Sequence, residues 1–202
     1  MTVRPAGTEV RIGFARASDA PEIAELHAQS WRRHYRGAYS DRYLDTDVFT
    51  DRLAVWTERM SDSDATRLTL VARSDTGLVG FAHVVLDADR RWGALVDNLH
   101  VAHRLQRSGL GTRLLDAAAR HLKQRRPGSG LFLWVLEKNE AAQAFYRARH
   151  GLFCDRTLAP PPGGDPGNLN GPQWKFRVAW PDPAVVIGTR REEPRSRASA
   201  PL

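Results

Sequence analysis

The stretch that decides the fold is residues 96–115, VDNLHVAHRLQRSGLGTRLL. Its beginning belongs to a run with the composition of a β-strand over 94–101. Further on, leucines recur at helical spacing and predict a helix over 109–124. A short loop joins the two, so the stretch predicts a strand, a loop and a helix in direct succession.

The loop before this helix has the properties of an anion-binding site. The first N–H groups of a helix lack partners within the helix and lie at the positive end of its dipole. Gly109 and Gly111 leave room for a phosphate to approach the backbone. We therefore predict that residues 106–111 bind a pyrophosphate, the alternative being a loop that only turns the chain. The loop lacks GxxxxGK[ST] and the three-glycine dinucleotide fingerprint, so it favours neither ATP nor NAD.

Alternating hydrophobic periods predict further strands and helices on both sides of this segment, in the order β-α-α-β-β-β-α-β-α-β-β. The apolar run over 131–136 predicts a strand buried on both faces. Ser18-Asp19 and Asn139 are typical helix caps. The predicted strands cover 10–16, 68–73, 78–86, 94–101, 131–136, 153–158 and 174–180, and the predicted helices follow residue 19, cover 41–59 and 109–124, and follow Asn139 through 149.

Composition bounds the class of protein. The 202 residues, 42% hydrophobic and 26% charged, are typical of a soluble domain that needs no disulfide. The single cysteine, Cys154, excludes an intramolecular disulfide and is predicted to be a buried small hydrophobe in a reducing cytoplasm. No apolar run reaches the roughly 18 residues of a membrane span, and residues 1–10 lack the apolar stretch of a secretory signal. The seven histidines have no HExxH-type spacing, so no metal site is predicted.

Three parts are predicted along the chain. Residues 1–8 form a flexible N-terminus, 9–180 a single folded domain, and 181–202, rich in Pro, Arg, Ser and Ala, a disordered C-terminal tail. Within the domain, the loop over 159–172 has five prolines. It is predicted to be a long irregular connection before the last strand, or a lid over a binding site.

The net charge calls for an explanation. The 30 Lys and Arg residues outnumber 23 Asp and Glu residues, for a formal charge of +7, and all but three of the 30 are arginines. Arginine suits phosphates and carboxylates because its planar fork donates two parallel hydrogen bonds. Nucleic acid, a phosphorylated cofactor and a merely solvated surface are all compatible with this charge.

Two separate motifs resemble one family. Gln106, Gly109 and Gly111, which follow a strand ending in LHV, resemble the acetyl-CoA loop [RQ]-x-x-G-x-[GA] of the GNAT N-acetyltransferase superfamily. Asn139–Tyr146 resembles its N-x-x-A-x-x-F-Y helix. The resemblance covers about residues 9–180 and implies a single-domain α/β (α+β) GNAT-like fold, with a mixed, mostly antiparallel sheet of about seven strands and about four helices packed on both faces. One departure is His150, where the family usually has glycine, and it leaves the register of the next strand open.

The resemblance implies acetyl-CoA as co-substrate and no metal. The backbone of Leu99–Val101 would pair with the pantetheine arm, and Arg104, Arg107 and Arg113 would complement the phosphates. The residues implied in cofactor binding are Leu99, His100, Val101, Gln106, Arg107, Ser108, Gly109, Leu110, Gly111, Thr112, Asn139 and Tyr146.

The implied reaction transfers an acetyl group to a primary amine by direct attack in a ternary complex. Tyr146 would be the general acid, because a phenol with a pKa of about 10 is protonated at neutral pH. The backbone N–H of Val101 would donate to the oxyanion. Asp97 is the candidate base and Glu137 the second choice. For each acid, an ordinary surface ion pair is the alternative, as is bulk water as the base.

The acceptor would be a small-molecule or peptide amine lined by Trp31, Tyr35 and Tyr39, which recur at four-residue intervals. Asp41, Asp45, Asp47 and Asp51 are the acidic residues that would suit a polycationic acceptor. A homodimer is compatible with the resemblance. Two other functions stay open: a basic nucleic-acid-binding module, which the absence of a helix-turn-helix, zinc-finger or RNP signature disfavours, and a CoA-binding GNAT scaffold without catalysis.

Overall fold

The computed structural model describes residues 9–61 and 64–188. Within that part of the chain, seven strands and four α-helices follow one another in the predicted order. The predicted flexible N-terminus, 1–8, and most of the predicted tail, 189–202, lie outside the described residues. The elements are β1 (Arg11–Phe14), α1 (Ala20–His34), α2 (Val48–Ser61), β2 (Arg67–Ser74), β3 (Gly77–Asp89), β4 (Gly93–Val101), α3 (Leu110–Arg125), β5 (Leu131–Leu136), α4 (Glu140–Arg147), β6 (Leu152–Leu158) and β7 (Trp174–Trp180).

The strands form one open sheet in the order β1-β2-β3-β4-β5-β7-β6. Every neighbouring pair is antiparallel except β4 and β5, which are parallel. The predicted mixed, mostly antiparallel sheet with four helices is therefore confirmed. The second predicted helix differs in detail, because a π-helical turn, Tyr43–Asp47, precedes α2.

Helix α3 and strand β5 carry the centre of the core. The five residues of the predicted apolar stripe of α3 are all at most 2% exposed, which fixes the side of the helix that faces the sheet. Strand β5 is buried along nearly its whole length, as its unbroken apolar run predicts. The stripe consists of Leu110, Leu114, Leu115, Ala118 and Leu122.

The sheet opens between its two parallel strands. The register of β3 with β4 skips a residue, since His83 pairs with Asn98 and Val84 with Val96, so Asp97 is the extra residue of a β-bulge. Strand β4 pairs with β5 only at Ala94 and Leu95. Beyond these pairs the two strands diverge, and a cleft opens through the middle of the sheet.

Two neighbouring residues, His150 and Gly151, determine how the chain passes from α4 into β6. His150 adopts a left-handed φ of +60°. A Cβ on Gly151 would come within 2.4 Å of Val178, so the next position has to be glycine. Strand β6 then shifts register between Phe153 and Asp155, with Cys154 in between. Cys154 is exposed, and the prediction that it is a buried hydrophobe is wrong because β6 is an edge strand whose residues are nearly all exposed.

The ordered chain extends beyond the predicted domain end at residue 180. Pro183–Val185 forms a 3-10 helix, and Val186 is fully buried in the main core. The Gly188 N–H donates to Asp116 Oδ1 at 3.2 Å. Residues 181–188 are therefore packed against α3 and do not belong to a disordered tail.

Candidate active site

A cavity of about 1080 Å³ occupies the cleft between β4 and β5. Its walls come from β4, β5, the loop before α3, and helices α1, α3 and α4. Fourteen residues with predicted site roles line it: Tyr35, Asp97, Leu99, His100, Val101, Gln106, Arg107, Ser108, Gly109, Gly111, Thr112, Arg113, Asn139 and Tyr146. The topology thus brings the two motifs, far apart in sequence, to one site.

The loop before α3 presents backbone donors to this cavity. Gly109 caps the helix at a left-handed φ of +84°, a conformation that glycine adopts without strain. The Arg113 N–H donates to the Gly109 carbonyl at 3.0 Å, so the N–H groups of Leu110, Gly111 and Thr112 precede the first intrahelical bond. The side chain of Leu110 is 2% exposed and packs in the core, and Leu110, unlike Gly109, Gly111 and Thr112, is not a lining residue of the cavity.

The free edge of β4 faces the same cavity. The Ala102 N–H donates to the Val79 carbonyl of β3 at 2.9 Å. In an antiparallel pair the bonding direction alternates along the strand, so Val101 and Leu99 direct their N–H and C=O groups toward β5. Because β5 has diverged by this point, these groups are available to a bound molecule.

Tyr146 lies at the base of the cavity on α4. It is 8% exposed and packs edge-on against Phe145 and Trp180, with ring centroids at 5.2 and 6.0 Å. Burial, followed by the nearby Tyr35, raises the pKa of its hydroxyl well above the ordinary value of 10. The hydroxyl therefore keeps its proton at neutral pH, as a proton donor must.

Asn139 fixes the entrance to α4. Its side-chain oxygen accepts the Ala142 N–H at 3.1 Å, which satisfies one of the first donors of the helix. Gln143 donates to the Glu137 carbonyl at 2.6 Å and holds the turn between β5 and α4. This local bonding places Asn139 on the cavity wall.

The two candidate bases have different surroundings. Asp97 lines the cavity, and its carboxylate accepts from Arg59 at 2.8 Å and from the Asn98 amide at 2.6 Å. Glu137 is paired with Arg156 at 2.9 Å and is not among the lining residues. The β-bulge accounts for the difference, because it turns Asp97 into the opening between the strands.

His100 adds a neutral polar group to the wall. Its Nδ1 lies 2.8 Å from Ser30 Oγ of α1. Burial lowers the pKa of this imidazole to about 3, so the ring is uncharged at neutral pH. The side chain thus packs against α1, while the alternation along β4 directs the backbone groups of His100 toward β3, away from the free edge.

Of the three predicted acceptor-lining aromatics, Tyr35 alone is a lining residue of this cavity. Burial, with the charge of Asp97, raises its pKa to about 12. Trp31 and Tyr39 lie behind it, with ring centroids 5.5 and 5.0 Å from that of Tyr35, in a second core cluster. The chain turns at Gly37, with φ of +78°, which brings Tyr39 back beneath Tyr35 instead of onto a continued helix.

The loop over 159–172 holds this aromatic cluster in place. The Ser40 N–H donates to the Asn168 carbonyl and the Asn170 N–H to the Ala38 carbonyl, at 3.0 and 2.9 Å. Arg42 also donates to the Asn168 side chain at 3.0 Å. The loop is therefore fixed to the chain between α1 and α2 at several points.

Two residues of the cavity carry no signal in the sequence. Trp134 is one residue of an apolar strand, and Arg149 is one of many arginines. Arg149 donates to Thr112 Oγ1 at 3.0 Å, and its guanidinium carbon lies 3.8 Å from the Phe145 ring centroid. Of the predicted phosphate-complementing arginines, Arg107 and Arg113 line the cavity, whereas Arg104 does not and donates to Thr76.

Residues 9–61 and 64–188 contain no cluster of His, Cys, Asp and Glu suited to holding a metal ion. None of their helices combines the length and the apolar run needed to cross a bilayer.

Comparison with known sequences places this site in a family. The acetyltransferase (GNAT) family matches residues 20–152. A protein named "Probable N-acetyltransferase" from Mycobacterium tuberculosis is 29% identical over 157 residues, which are 75% of this chain and 84% of that protein. YuaI of Bacillus subtilis, an uncharacterized N-acetyltransferase, is 28% identical over 142 residues, or 69% and 78% of the two chains.

Solved structures share the fold. The PaiA N-acetyltransferase of Thermoplasma acidophilum, determined in complex with coenzyme A, superposes with a TM-score of 0.66 at 20% identity, covering 85% of this chain and 99% of that one. A nourseothricin acetyltransferase superposes with a TM-score of 0.50 at 26% identity, covering 59% and 67%. The family match, its relatives and the shared fold agree, and the chain belongs to the acetyltransferase (GNAT) family of enzymes.

Proposed function

We propose that the protein is an acetyl-CoA-dependent N-acetyltransferase that acts on a primary amine by direct attack in a ternary complex. The observation that carries this proposal is one continuous cavity, which joins the loop before α3, the free edge of β4, Tyr146 and Asp97. Anion donors at one end and a proton donor with a carboxylate at the other are the groups that such a transfer needs.

The residues of this cavity suit acetyl-CoA as the co-substrate. The N–H groups of Leu110, Gly111 and Thr112 would hold the pyrophosphate, helped by Gln106, Arg107, Ser108 and Gly109 of the loop. Leu99 and Val101 would offer backbone groups to the pantetheine amides, His100 would contribute its side chain to the wall, and Asn139 and Tyr146 would lie beside that arm. When bound, acetyl-CoA supplies a thioester carbonyl that a neutral amine can attack.

Each catalytic role follows from a position in the cavity. Asp97 would accept the proton of the amine, directly or through water, at the opening made by the bulge. The Val101 N–H, directed toward β5, would donate to the oxygen on which charge develops. Tyr146, whose hydroxyl stays protonated, would donate its proton to the departing sulfur.

The charges near the acceptor end do not favour a polycation. The four acidic residues that would suit one are each paired with an arginine: Asp41 and Asp45 with Arg36, Asp47 with Arg42, and Asp51 with Arg52. Lys175 lies 4.7 Å from the ring centroid of Trp134, a cavity residue. We therefore propose a small-molecule or peptide acceptor with a single amine, placed beside Tyr35, Trp134 and Asp97.

The test measures release of CoA from acetyl-CoA over a panel of monoamines, amino acids, peptides and polyamines. Acetylation of at least one monoamine supports the proposal, and CoA binding without turnover on any amine would instead favour a scaffold without catalysis. Tyr146→Phe should lower kcat by about 10²-fold or more with little change in acetyl-CoA affinity, since it removes only the proton donor.

Tyr39→Phe is the matched control, because it removes the hydroxyl of a buried tyrosine that does not line the cavity. It should leave kcat within about twofold of the wild-type value. Equal kcat for wild type and Tyr146→Phe would remove Tyr146 as the acid.

A further inference from the structure

Arg149 is a half-buried cation with neutral partners. Its Nε donates to Thr112 Oγ1 at 3.0 Å and its Nη1 to the Phe145 carbonyl at 2.9 Å. Its guanidinium stacks on the Phe145 ring. Burial lowers the pKa of the group below its ordinary value, although it stays charged at neutral pH. Within residues 9–61 and 64–188 no carboxylate forms an ion pair with Arg149, so its charge is left for an anion in the cavity.

Two arginines of α3 also line this cavity. Arg113 is exposed and donates to the Val10 carbonyl at 2.7 Å, and Arg120 is paired with Asp116 at 3.0 Å. Asp116, which lines the cavity as well, also accepts the Gly188 N–H. Arg120 is therefore balanced by a carboxylate, whereas Arg149 is half-buried beside neutral partners.

The chain after β7 returns to the same face of α3. Val186 and Gly188 line the cavity, and Gly188 is bonded to Asp116. Thr112 and Asp116 are four residues apart on one helix, so their side chains are neighbours, about 5–6 Å apart. Arg149 and the segment 186–188 thus lie one helical turn apart, along a groove that starts where the loop before α3 ends.

We propose that Arg149, held on Thr112, and residues 186–188, held on Asp116, form the subsite for the 3′-phosphoadenosine end of coenzyme A. The guanidinium would pair with the 3′-phosphate. The Phe145 ring would supply apolar surface to the adenine, and the backbone of residues 186–188 would border it. The subsite rests on the proposed use of acetyl-CoA, and it lies outside the residues that carry the transfer itself.

Calorimetric titration of the full chain with CoA and with 3′-dephospho-CoA tests the phosphate contact. Wild type should bind CoA about tenfold or more tightly than dephospho-CoA, the value of one charge-assisted contact. Arg149→Met keeps the stem on Phe145 and should bring this ratio close to one, and Arg149→Lys should keep part of it. Arg126→Met, which removes an arginine paired with Asp87 at the far end of α3, should leave the ratio unchanged.

Hydrogen exchange tests the segment after β7. CoA should slow exchange at the Gly188 amide about tenfold, whereas 4′-phosphopantetheine, which lacks the adenosine, should not. An unchanged ratio in Arg149→Met, or unchanged exchange at Gly188 in a protein that binds CoA, would overturn the subsite. Absence of CoA binding to wild type would instead overturn the proposed function.

Discussion

The two candidate bases, Asp97 and Glu137, have similar sequence contexts but different positions relative to the cavity. Asp97 and Glu137 are each at a strand end or bulge and each accept from an arginine, at 2.8 and 2.9 Å. Only Asp97 is a lining residue of the cavity. The sequence favours Asp97 over Glu137 as the base because Asp97 lies two residues before Leu99. The β-bulge at Asp97 has no signal in the sequence.

This pair provides a matched test of the base. Asp97→Asn should lower kcat/KM by about 10²-fold near neutral pH, because it removes the proton acceptor at the cavity. Glu137→Gln breaks a comparable arginine pair outside the cavity and should leave kcat/KM within about twofold. Both variants are measured over pH 6–9 with saturating acetyl-CoA. Similar losses in the two variants, or none in Asp97→Asn, would assign the base to water.

His150 has an unfavourable backbone conformation. A left-handed φ of +60° disfavours any residue with a Cβ, and the family pattern has glycine here. His150→Gly should therefore raise the free energy of unfolding by about 0.5–1 kcal/mol, measured from the urea midpoint. His103→Gly, at a residue of a 3-10 helix, should lower it instead. A less stable His150→Gly protein would show that side-chain contacts outweigh the backbone term.

At the scale of elements, the geometry that matters is the divergence of β4 from β5. Each strand was predictable from its own residues, and β5 and β7 have the predicted bounds. The separation of β4 from β5 beyond Leu95 was not predictable, because it arises from pairing across the sheet and from one unmatched residue in β4. Likewise, the four-residue spacing of Trp31 and Tyr39 does not reveal that both pack behind Tyr35, which depends on contacts between segments.

The interface between α1, α2 and the sheet contains neutral histidines, which makes folding sensitive to acid. His83 lies 2.8 Å from Thr69 Oγ1, and burial, then the charge of Arg59, lowers its pKa to about 4. His100 behaves similarly, with a pKa of about 3. Below pH 6.5 both histidines bind protons in the unfolded chain but stay neutral in the folded protein. The free energy of unfolding therefore falls as the pH drops toward these pKa values.

His83→Gln isolates this contribution, because glutamine still bonds to Thr69 but does not titrate. The wild-type free energy of unfolding should fall between pH 6.5 and 4 by about 3 kcal/mol more than that of His83→Gln, since each pKa unit corresponds to about 1.4 kcal/mol. Urea titrations of both proteins at pH 8, 6.5, 5 and 4 measure the difference. Parallel losses would show that His83 carries no proton-linked term.

In the whole molecule, the arginines behind the net charge of +7 fall into two groups. Much of the arginine surface is paired with carboxylates, as at Arg36, Arg42, Arg73 and Arg126. Arg107 and Arg149 instead face the cavity, where a phosphorylated co-substrate is proposed. Arginines dispersed in this way do not form the continuous basic stripe of a nucleic-acid-binding surface.

The sequence was sufficient for the fold and for the two motifs, because both depend on local periodicity and on short spacings. It was insufficient for Arg149, Trp134 and the packing of residues 181–188, which depend on contacts between distant segments. Val186 illustrates the reason: the tail composition predicts disorder, yet Val186 is fully buried in the main core and Pro183 is buried as well. The average composition of a segment does not show whether a few of its residues are buried.

The central claim is that coenzyme A occupies the cleft between β4 and β5 through the backbone donors described above. A ¹H–¹⁵N NMR titration of the protein with CoA tests it most directly, since each amide reports separately. The largest shifts are expected at the amides of Leu99, Val101, Leu110, Gly111 and Thr112, with little change along β2 and β6. No shifts at millimolar CoA, or largest shifts on β2 or β6, would contradict CoA binding in this cleft.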